Sequence, residues 1–301
     1  MGRRYDTISF LSDYGYTDEF AGVVRAVLRD LAPHATVVDI THGIEPFDVR
    51  AGSLALARSI SYLPSGIVLA VVDPGVGTSR RAVAIEVAGG DGIIVGPDNG
   101  LLAPAVAMAG GAERAVVLSD PTFHLTAIGE TFAGRDVFAP VAAHLCNGVD
   151  LFELGDEIEP DLLMPGIVPL SREEAGSLVA EVLWIDRFGN CQLNVGPDEI
   201  AAWGDRIRIT VGDRSAPTIR SVMVVSTFGK ITTGAVGLIA DSSGMLALAL
   251  DRRSAADELA LAPGDQVVLA PSEADDAGSP VSSPVTLRAT SPHTTSAPTT
   301  G

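Results

Sequence analysis

The residues that stand out as candidates for chemistry lie in a glycine-rich turn, residues 73–81, with the sequence DPGVGTSRR. Its two glycines permit backbone conformations that other residues avoid. Strand-like segments flank the turn on both sides, which argues against a P-loop or a dinucleotide-binding turn, because both need a following helix. Asp73 and Arg80 can face each other across this loop. Their spacing alone predicts a structural salt bridge, and a functional acid–guanidinium pair is the alternative.

A second acidic position follows the first strand-like segment. Asp13 comes directly after residues 7–12, and a carboxylate at a strand end can accept hydrogen bonds from both hydroxyls of a ribose. Asp18 precedes a helical pattern and is interpreted as its N-cap. Asp13 has no such evident structural role, so it remains a candidate ligand-binding residue.

Two turns in the second half of the chain carry residues suited to binding a small molecule. In residues 186–190 (DRFGN), Phe188 can stack on a planar base while Asn190 hydrogen-bonds its polar edge. Residues 241–244 (DSSG) can supply donors to a carboxylate. Both segments are also ordinary turn sequences, and that interpretation stays open.

Alternating strand and helix patterns predict how the first half of the chain positions these residues. Apolar side chains recur at helical spacing in 20–31 and 49–62, and β-rich runs occupy 7–12, 36–40, 67–72, 82–87 and 92–95. This alternation predicts an α/β fold with a mainly parallel sheet covered by helices on both faces. Ligands bind such sheets where strands end, and Asp13, Asp73 and Asp98 each follow a strand.

The texture changes near residue 170, where short alternating segments separated by Gly-, Asp- and Ser-rich turns begin. They predict a smaller C-terminal antiparallel β domain, either a barrel or a sandwich. The predicted organisation is an α/β domain over 1–170, a β domain over 171–270 and a disordered tail over 271–301. The tail consists mostly of Ser, Thr, Pro and Ala without an aromatic residue, so it cannot bury enough surface to offset its ordering entropy.

Composition excludes several classes of function. The 301 residues include 38 acidic and 20 basic side chains, a formal charge of −18, which disfavours nucleic acid and anionic membranes as partners. No apolar run spans a bilayer and no signal-peptide core is visible, so a cytoplasmic location is expected. Cys146 and Cys191 fit neither a disulfide framework nor a zinc site. The five histidines lack metal-ligand spacing and no Gly-x-Ser-x-Gly elbow occurs, so neither a metalloenzyme nor a serine hydrolase is predicted.

Taken together, the motifs of residues 6–270 resemble those of the S-adenosyl-L-methionine (SAM) hydroxide adenosyltransferase family, whose relatives include the fluorinating and chlorinating adenosyl enzymes. The resemblance rests on Ser12-Asp13-Tyr14-Gly15, Asp39-Ile40-Thr41-His42, Val72-Asp73-Pro74-Gly75-Val76-Gly77, Gly96-Pro97-Asp98-Asn99-Gly100, Thr131-Phe132 with Gly134-Arg135-Asp136, and Phe188-Gly189-Asn190. It implies hydrolysis of SAM to adenosine and L-methionine without a cofactor. It also implies a homotrimer with substrate bound between neighbouring subunits.

The same resemblance assigns roles to individual residues. It implies that Asp73 and Arg80 belong to an Asp-Arg-His group that positions the attacking water. It further implies substrate contacts with the ribose (Asp13), with the sugar and reacting carbon (Phe47 and Phe132), with adenine (Phe188 and Asn190), and with the methionine ammonium and carboxylate (Asp186 and Ser242).

The chain departs from the family pattern at one catalytic position. The histidine of the Asp-Arg-His group belongs between Phe132 and Gly134, where this chain has Ala133. Two alternatives therefore remain open beside the hydrolase. One is a halide adenosyltransferase, although the halogenating relatives carry tyrosine where this chain has Asp73. The other is a catalytically silent protein that binds SAM or adenosine.

Overall fold

The structure, a computed structural model, describes residues 2–212 and 217–272. Its N-terminal part builds one sheet with helices packed on it. The elements are β1 (Thr7–Ser12), α1 (Phe20–Leu31), β2 (Thr36–Thr41), α2 (Val49–Ile60), β3 (Gly66–Val71), β4 (Ala82–Val87), β5 (Gly92–Pro97), α3 (Ala103–Met108), β6 (Arg114–Val117), α4 (Ala139–Cys146) and β7 (Asp156–Glu157).

The strand order in this sheet is β2-β1-β3-β5-β4-β6-β7. The half formed by β2, β1, β3 and β5 is parallel, as the strand and helix alternation predicts. β4, β6 and β7 add antiparallel pairings, so the sheet is mixed. The glycine-rich turn of residues 73–81 leads from β3 into β4 without a helix, and β4 consequently runs against its neighbour β5.

Helices cover both faces of the sheet, as predicted. α1 and α4 pack over one buried cluster that includes Phe10 and Phe138. α2 and α3 pack over the other, which includes Leu56 and Ile94. The prediction that Asp18 caps α1 is wrong: Glu19 precedes the first helical residue, and its side chain makes no capping hydrogen bond.

The C-terminal part forms a second sheet that closes into a barrel. Its elements are β8 (Arg172–Glu174), β9 (Ser177–Ile185), β10 (Cys191–Leu193), β11 (Arg206–Val211), β12 (Thr218–Val225), β13 (Val236–Ala240), β14 (Leu246–Leu250), α5 (Ala255–Leu259) and β15 (Gln266–Pro271). The order is β10-β14-β13-β12-β11-β15-β9-β8, and the pairing of β10 with β9 closes the ring. All strand pairs in this sheet are antiparallel except that of β12 with β13. Because the sheet closes on itself, the chain adopts the barrel and not the sandwich, the two forms predicted from its sequence.

The barrel contacts the first sheet through α2. Arg50 donates to Glu181 at 2.5 Å, and the Arg58 guanidinium lies 5.3 Å from the centre of the Trp184 ring. The predicted tail falls almost entirely on residues 273–301, outside the described residues, while Pro271 pairs with Ile207 at the end of β15. The predicted domain boundary at 170 and 171 remains a prediction.

Candidate active site

The sheet topology places Asp13 and Asp73 at the same edge. β1 and β3 are parallel neighbours, with Ser12 opposite Val71 in their register, so the residues that follow both strands leave the sheet side by side. We call the group formed by Asp13, Tyr14, Asp73, Arg80 and Phe132 the carboxylate cluster.

Asp73 and Arg80 form a buried pair with unused hydrogen-bonding capacity. Arg80 donates from Nη2 to Asp73 Oδ2 at 2.5 Å, and the side chains of Arg80 and Asp73 are only 12% and 6% exposed, respectively. Asp73 Oδ1 and Arg80 Nε are buried without a hydrogen-bond partner among the described residues. A buried acceptor of this kind carries a free-energy cost unless a ligand or water satisfies it. The salt bridge predicted from the spacing is therefore present, and it leaves one oxygen of Asp73 without a partner among the described residues.

Burial also sets the protonation behaviour of the cluster. It raises the pKa of Asp73 above the ordinary aspartate value, and the nearby Asp13 carboxylate raises it further, while Arg80 and the Gly75 N–H act in the opposite direction. Burial likewise raises the pKa of Asp13. A carboxylate with a raised pKa is a stronger base than an exposed one, which suits Asp73 to accept a proton.

Asp13 holds the loop that presents Phe47. Its Oδ2 accepts a hydrogen bond from the Phe47 N–H at 2.9 Å. Phe47 has a φ of +70° and its side chain is 70% exposed. An aromatic residue in the left-handed region is strained, so the hydrogen bond to Asp13 offsets a conformational cost while displaying the ring.

A buried network that sequence reasoning missed supports the loop after β1. Ser12 Oγ lies 2.7 Å from His42 Nδ1, and His42 Nε2 lies 3.1 Å from Asp39 Oδ1. Arg25 donates to Asp39 at 3.0 Å, and the His42 carbonyl accepts from the Gly15 N–H at 2.7 Å. Ser12 and His42 are completely buried, which leaves a substrate no access to this Ser-His-Asp arrangement. Its role is to fix the backbone that carries Asp13.

Phe132 belongs to an aromatic group around Tyr14. Its ring centre lies 5.6 Å from that of Tyr14 and 5.1 Å from that of Phe20. Ala133 follows, half-buried, immediately before a π-helical turn, Gly134–Phe138. Such turns are rare and frequently occur at functional sites. Arg135 and Asp136 pair with each other, with Arg135 donating at 2.6 and 2.9 Å.

The barrel carries a cleft of about 800 Å³, which we call the C-terminal cleft. It brings together four predicted binding residues, namely Asp186, Phe188, Asn190 and Ser242. Phe188 is 78% exposed, so its ring is accessible from the cleft. Sequence reasoning missed other lining residues, including Arg58, Trp184, Gln192 and Phe228, because they come from separate elements and share no local motif.

Aspartates of the C-terminal cleft are occupied in shaping its turns. Asp186 Oδ1 accepts from the Phe188 and Asn190 backbone N–H groups, both at 2.9 Å, and Oδ2 accepts from Asn190 Nδ2 at 2.8 Å. Asp241 accepts from the backbone of Ser243 and Met245, and from Gln192 Nε2. Turn chemistry, the alternative interpretation, thus holds at both segments, and it coexists with their position in the cleft.

The carboxylate cluster and the C-terminal cleft of one chain share no lining residue. None of Asp13, Phe47, Asp73, Arg80 and Phe132 lines the C-terminal cleft. Among the described residues, no group of three or more His, Cys, Asp or Glu side chains is arranged to hold a metal ion. No helix within residues 2–212 and 217–272 is long and apolar enough to cross a membrane.

Comparison with known proteins finds similarity along both parts of the chain. Residues 8–155 match the SAM hydroxide adenosyltransferase N-terminal domain and residues 180–268 match the C-terminal domain of the same family. The (R)-S-adenosyl-L-methionine hydrolase of Salinispora tropica is 44% identical over 260 residues, covering 86% of this chain and 96% of the relative. The hydrolase of the same name from Thermus thermophilus is 41% identical, covering 87% and 98%.

More distant sequence relatives and solved structures give the same picture. A fluorinase of Nocardia brasiliensis is 29% identical, covering 85% of this chain and 93% of that protein. A crystal structure of a conserved protein from Thermotoga maritima superposes with a TM-score of 0.79 at 33% identity, covering 87% of this chain and 99% of the other. The two-part architecture described above is thus shared with an experimentally determined structure.

Proposed function

The chain belongs to the SAM hydroxide adenosyltransferase family, and from this premise we propose that it hydrolyses SAM to adenosine and L-methionine. The observation that carries the proposal is the Asp73 carboxylate, which Arg80 holds by one oxygen while the other oxygen is buried without a partner in residues 2–212 and 217–272. That free oxygen is an acceptor for one O–H of a water molecule.

The reaction requires little beyond a positioned water. The water oxygen attacks C5′ of the ribose in line with the C5′–S bond, which breaks with its electron pair going to sulfur. The sulfonium thereby becomes the neutral thioether of methionine, and the water proton passes to Asp73 and then to solvent. A sulfonium is already a good leaving group, so the chemistry needs no cofactor. Holding water and substrate in an attack geometry can by itself contribute several kcal/mol.

The other predicted site residues bind substrate in this proposal. Asp13 accepts hydrogen bonds from the ribose hydroxyls, and Phe47 and Phe132 enclose the sugar and the reacting carbon. Phe188 stacks on adenine and Asn190 hydrogen-bonds its edge. The methionine part lies against Asp186 and Ser242. Although the Asp186 oxygens already accept turn hydrogen bonds, a carboxylate has about four lone-pair sites and retains capacity for an ammonium group.

Labelled water tests the reaction directly. The protein is incubated with SAM in H₂¹⁸O, with and without chloride, and the products are analysed by mass spectrometry. We expect adenosine carrying ¹⁸O at the 5′ position and unlabelled methionine. A 5′-chloro-5′-deoxyadenosine product would favour the halide adenosyltransferase. Binding of adenosine without any turnover of SAM would identify a silent binding protein.

We further propose that the complete site lies between subunits of a homotrimer. Support comes from the separation of the carboxylate cluster and the C-terminal cleft within one chain, and from exposed rings on each side, Phe47 and Phe188. A second copy that docks its cleft against the cluster would cover both rings.

The two free, buried cysteines, Cys146 and Cys191, support a location in the reducing cytoplasm.

Complementation between two impaired variants, assayed at SAM concentrations far below the KM of the parent, tests the shared site. Asp73→Asn damages the cluster, and the double variant Phe188→Ala/Asn190→Ala damages the cleft. If each site combines the cluster of one chain with the cleft of another, co-expressed chains form about one intact site in four by random assembly. At these low SAM concentrations we expect the mixed preparation to release adenosine faster than either variant alone, and we expect three chains per particle by light scattering. A mixture no more active than its components would place the site within one chain.

A further inference from the structure

Tyr14 is the side chain of the carboxylate cluster to which the sequence assigns no role. Its ring is fixed by aromatic neighbours, with centre-to-centre distances of 6.4 Å to Phe10, 5.9 Å to Phe20 and 5.6 Å to Phe132. The ring cannot turn away without disrupting these contacts. The position of its hydroxyl is consequently determined by packing.

The hydroxyl lies against Gly134, the first residue of the π-helical turn. A Cβ atom added at Gly134 would overlap Tyr14 Oη, so only glycine permits this approach. Arg80 meets the same turn at its other end, with its guanidinium 5.3 Å from the centre of the Phe138 ring. The Tyr14 hydroxyl and the Arg80 guanidinium, which pairs with Asp73, therefore lie against the same π-helical turn.

Two polar groups beside the π-helical turn have no hydrogen-bond partner in the part of the chain that the structure describes. Tyr14 Oη has no hydrogen bond to any residue in 2–212 or 217–272, and Asp73 Oδ1 is buried without one. Ala133, the residue before Gly134, offers only a methyl group. Burial and the nearby carboxylates of Asp13 and Asp73 raise the pKa of Tyr14 far above its ordinary value, so the phenol keeps its proton and remains a donor.

We propose that the Tyr14 hydroxyl donates a hydrogen bond to the attacking water and, with Asp73 Oδ1, fixes its orientation toward the substrate. The inference rests on the proposed hydrolysis of SAM and extends it to a residue in direct contact with the reacting water. The water donates one O–H to Asp73 and accepts from Tyr14 with one lone pair. Its second lone pair then points toward C5′, which neither contact alone would ensure. Tyr14 gives up no proton, and the water proton still leaves through Asp73.

Tyr14→Phe tests this role because it keeps the ring packing and removes only the hydroxyl. We expect kcat for adenosine release to fall about tenfold, the effect of losing one neutral hydrogen bond in the transition state. KM, the Kd for adenosine and the melting temperature should stay close to those of the parent. Tyr16→Phe is the matched control, since the Tyr16 ring is 68% exposed and should leave all four quantities unchanged.

Gly134→Ala provides a second route to the same test. The added methyl group would displace Tyr14 Oη, so it should lower kcat in the parent. The fall should be smaller in the Tyr14→Phe background, where the methyl group crowds only the ring atoms Cζ and Cε2, at 3.0 and 3.2 Å. Equal kcat values for the parent and Tyr14→Phe would overturn the role of Tyr14 while leaving the hydrolase intact. Failure of the parent to release adenosine would instead contradict the proposed function on which the role rests.

Discussion

Aspartates occupy both the carboxylate cluster and the C-terminal cleft, but their hydrogen bonding differs. In the cleft, both oxygens of Asp186 and both oxygens of Asp241 accept hydrogen bonds from their own turns or from Gln192. In the cluster, one oxygen of Asp73 accepts from Arg80, and the other is buried without a partner among the residues that the structure describes. Satisfied carboxylates stabilise the shape of a binding surface, whereas an unsatisfied buried one is available to a reacting molecule. Changes in the cluster should accordingly affect the rate, and changes in the cleft should affect affinity.

The largest expected effect is that of Asp73→Asn, which keeps the size of the side chain and removes its basicity. We expect kcat to fall about 10²–10⁴-fold, the usual contribution of a positioned acid or base, with little change in the Kd for adenosine. Single-turnover measurement of adenosine release gives the rate. Asp91→Asn is the matched control, because Asp91 is an exposed partner of Arg3. A large rise in the Kd for adenosine with an unchanged rate would contradict the proposal that the carboxylate cluster determines the rate and the C-terminal cleft the affinity.

Ala133→His should change the rate in the opposite direction. It adds a polar side chain at the start of the π-helical turn, where the family resemblance implies a histidine, and we expect kcat to rise by about 10²-fold. Affinity should change little, because the new group would contact water rather than adenine or methionine. Ala133→Leu is the control for added volume without polarity. Equal rates for the parent and the Ala133→His variant at saturating SAM would show that no polar group is missing there.

Phe188→Ala should affect affinity and spare the rate. A base stacked on an aromatic ring loses about 1–3 kcal/mol when the ring is removed, so the Kd for adenosine should rise about 5- to 150-fold. Calorimetry measures the affinity, and kcat at saturating SAM should match that of the parent. Phe152→Ala, a change in another partly exposed ring, serves as the control. A fall in kcat comparable to that of Asp73→Asn would place the cleft in the chemistry as well.

The smallest expected effect is a shift of the acid limb in the pH profile of kcat/KM toward higher pH. Asp73 must be ionised to accept a proton, and burial raises its pKa above the ordinary value of 3.8. The acid limb of kcat/KM should therefore lie above that value. Because Arg80 lowers the pKa of Asp73, Arg80→Gln should move the limb to still higher pH. A limb at or below the ordinary value would contradict the buried environment of Asp73.

The raised pKa of Asp73 also makes the stability of the folded protein depend on pH. Between the ordinary pKa and the raised one, the folded protein binds a proton at Asp73 that the unfolded chain has lost. The free energy of unfolding contributed by this group therefore falls as the pH rises through that window. Asp73→Asn should remove this component, which thermal unfolding at a series of pH values can measure.

Local sequence pattern determined most of the secondary structure. The predicted helix over 20–31 and the strands over 7–12 and 82–87 have the bounds observed for α1, β1 and β4. Periodic placement of apolar residues suffices there, because each element buries a face that its own spacing defines. The grouping of Asp186, Phe188 and Asn190 could be recognised for a similar reason, since one turn holds all three.

Tertiary structure alone decided how those elements combine and which polar groups remain unpaired. The antiparallel entry of β4, the Ser12–His42–Asp39 network and the contact of Tyr14 with Gly134 join residues distant in the chain. Asp18 likewise does not cap α1, because the helix begins at Phe20 and Glu19 occupies the capping position. Sequence specifies which groups can donate, accept or stack. Only the folded arrangement decides which of them find partners within the protein and which are left for a substrate or a water, because partners are set by distances in space and not by separation along the chain.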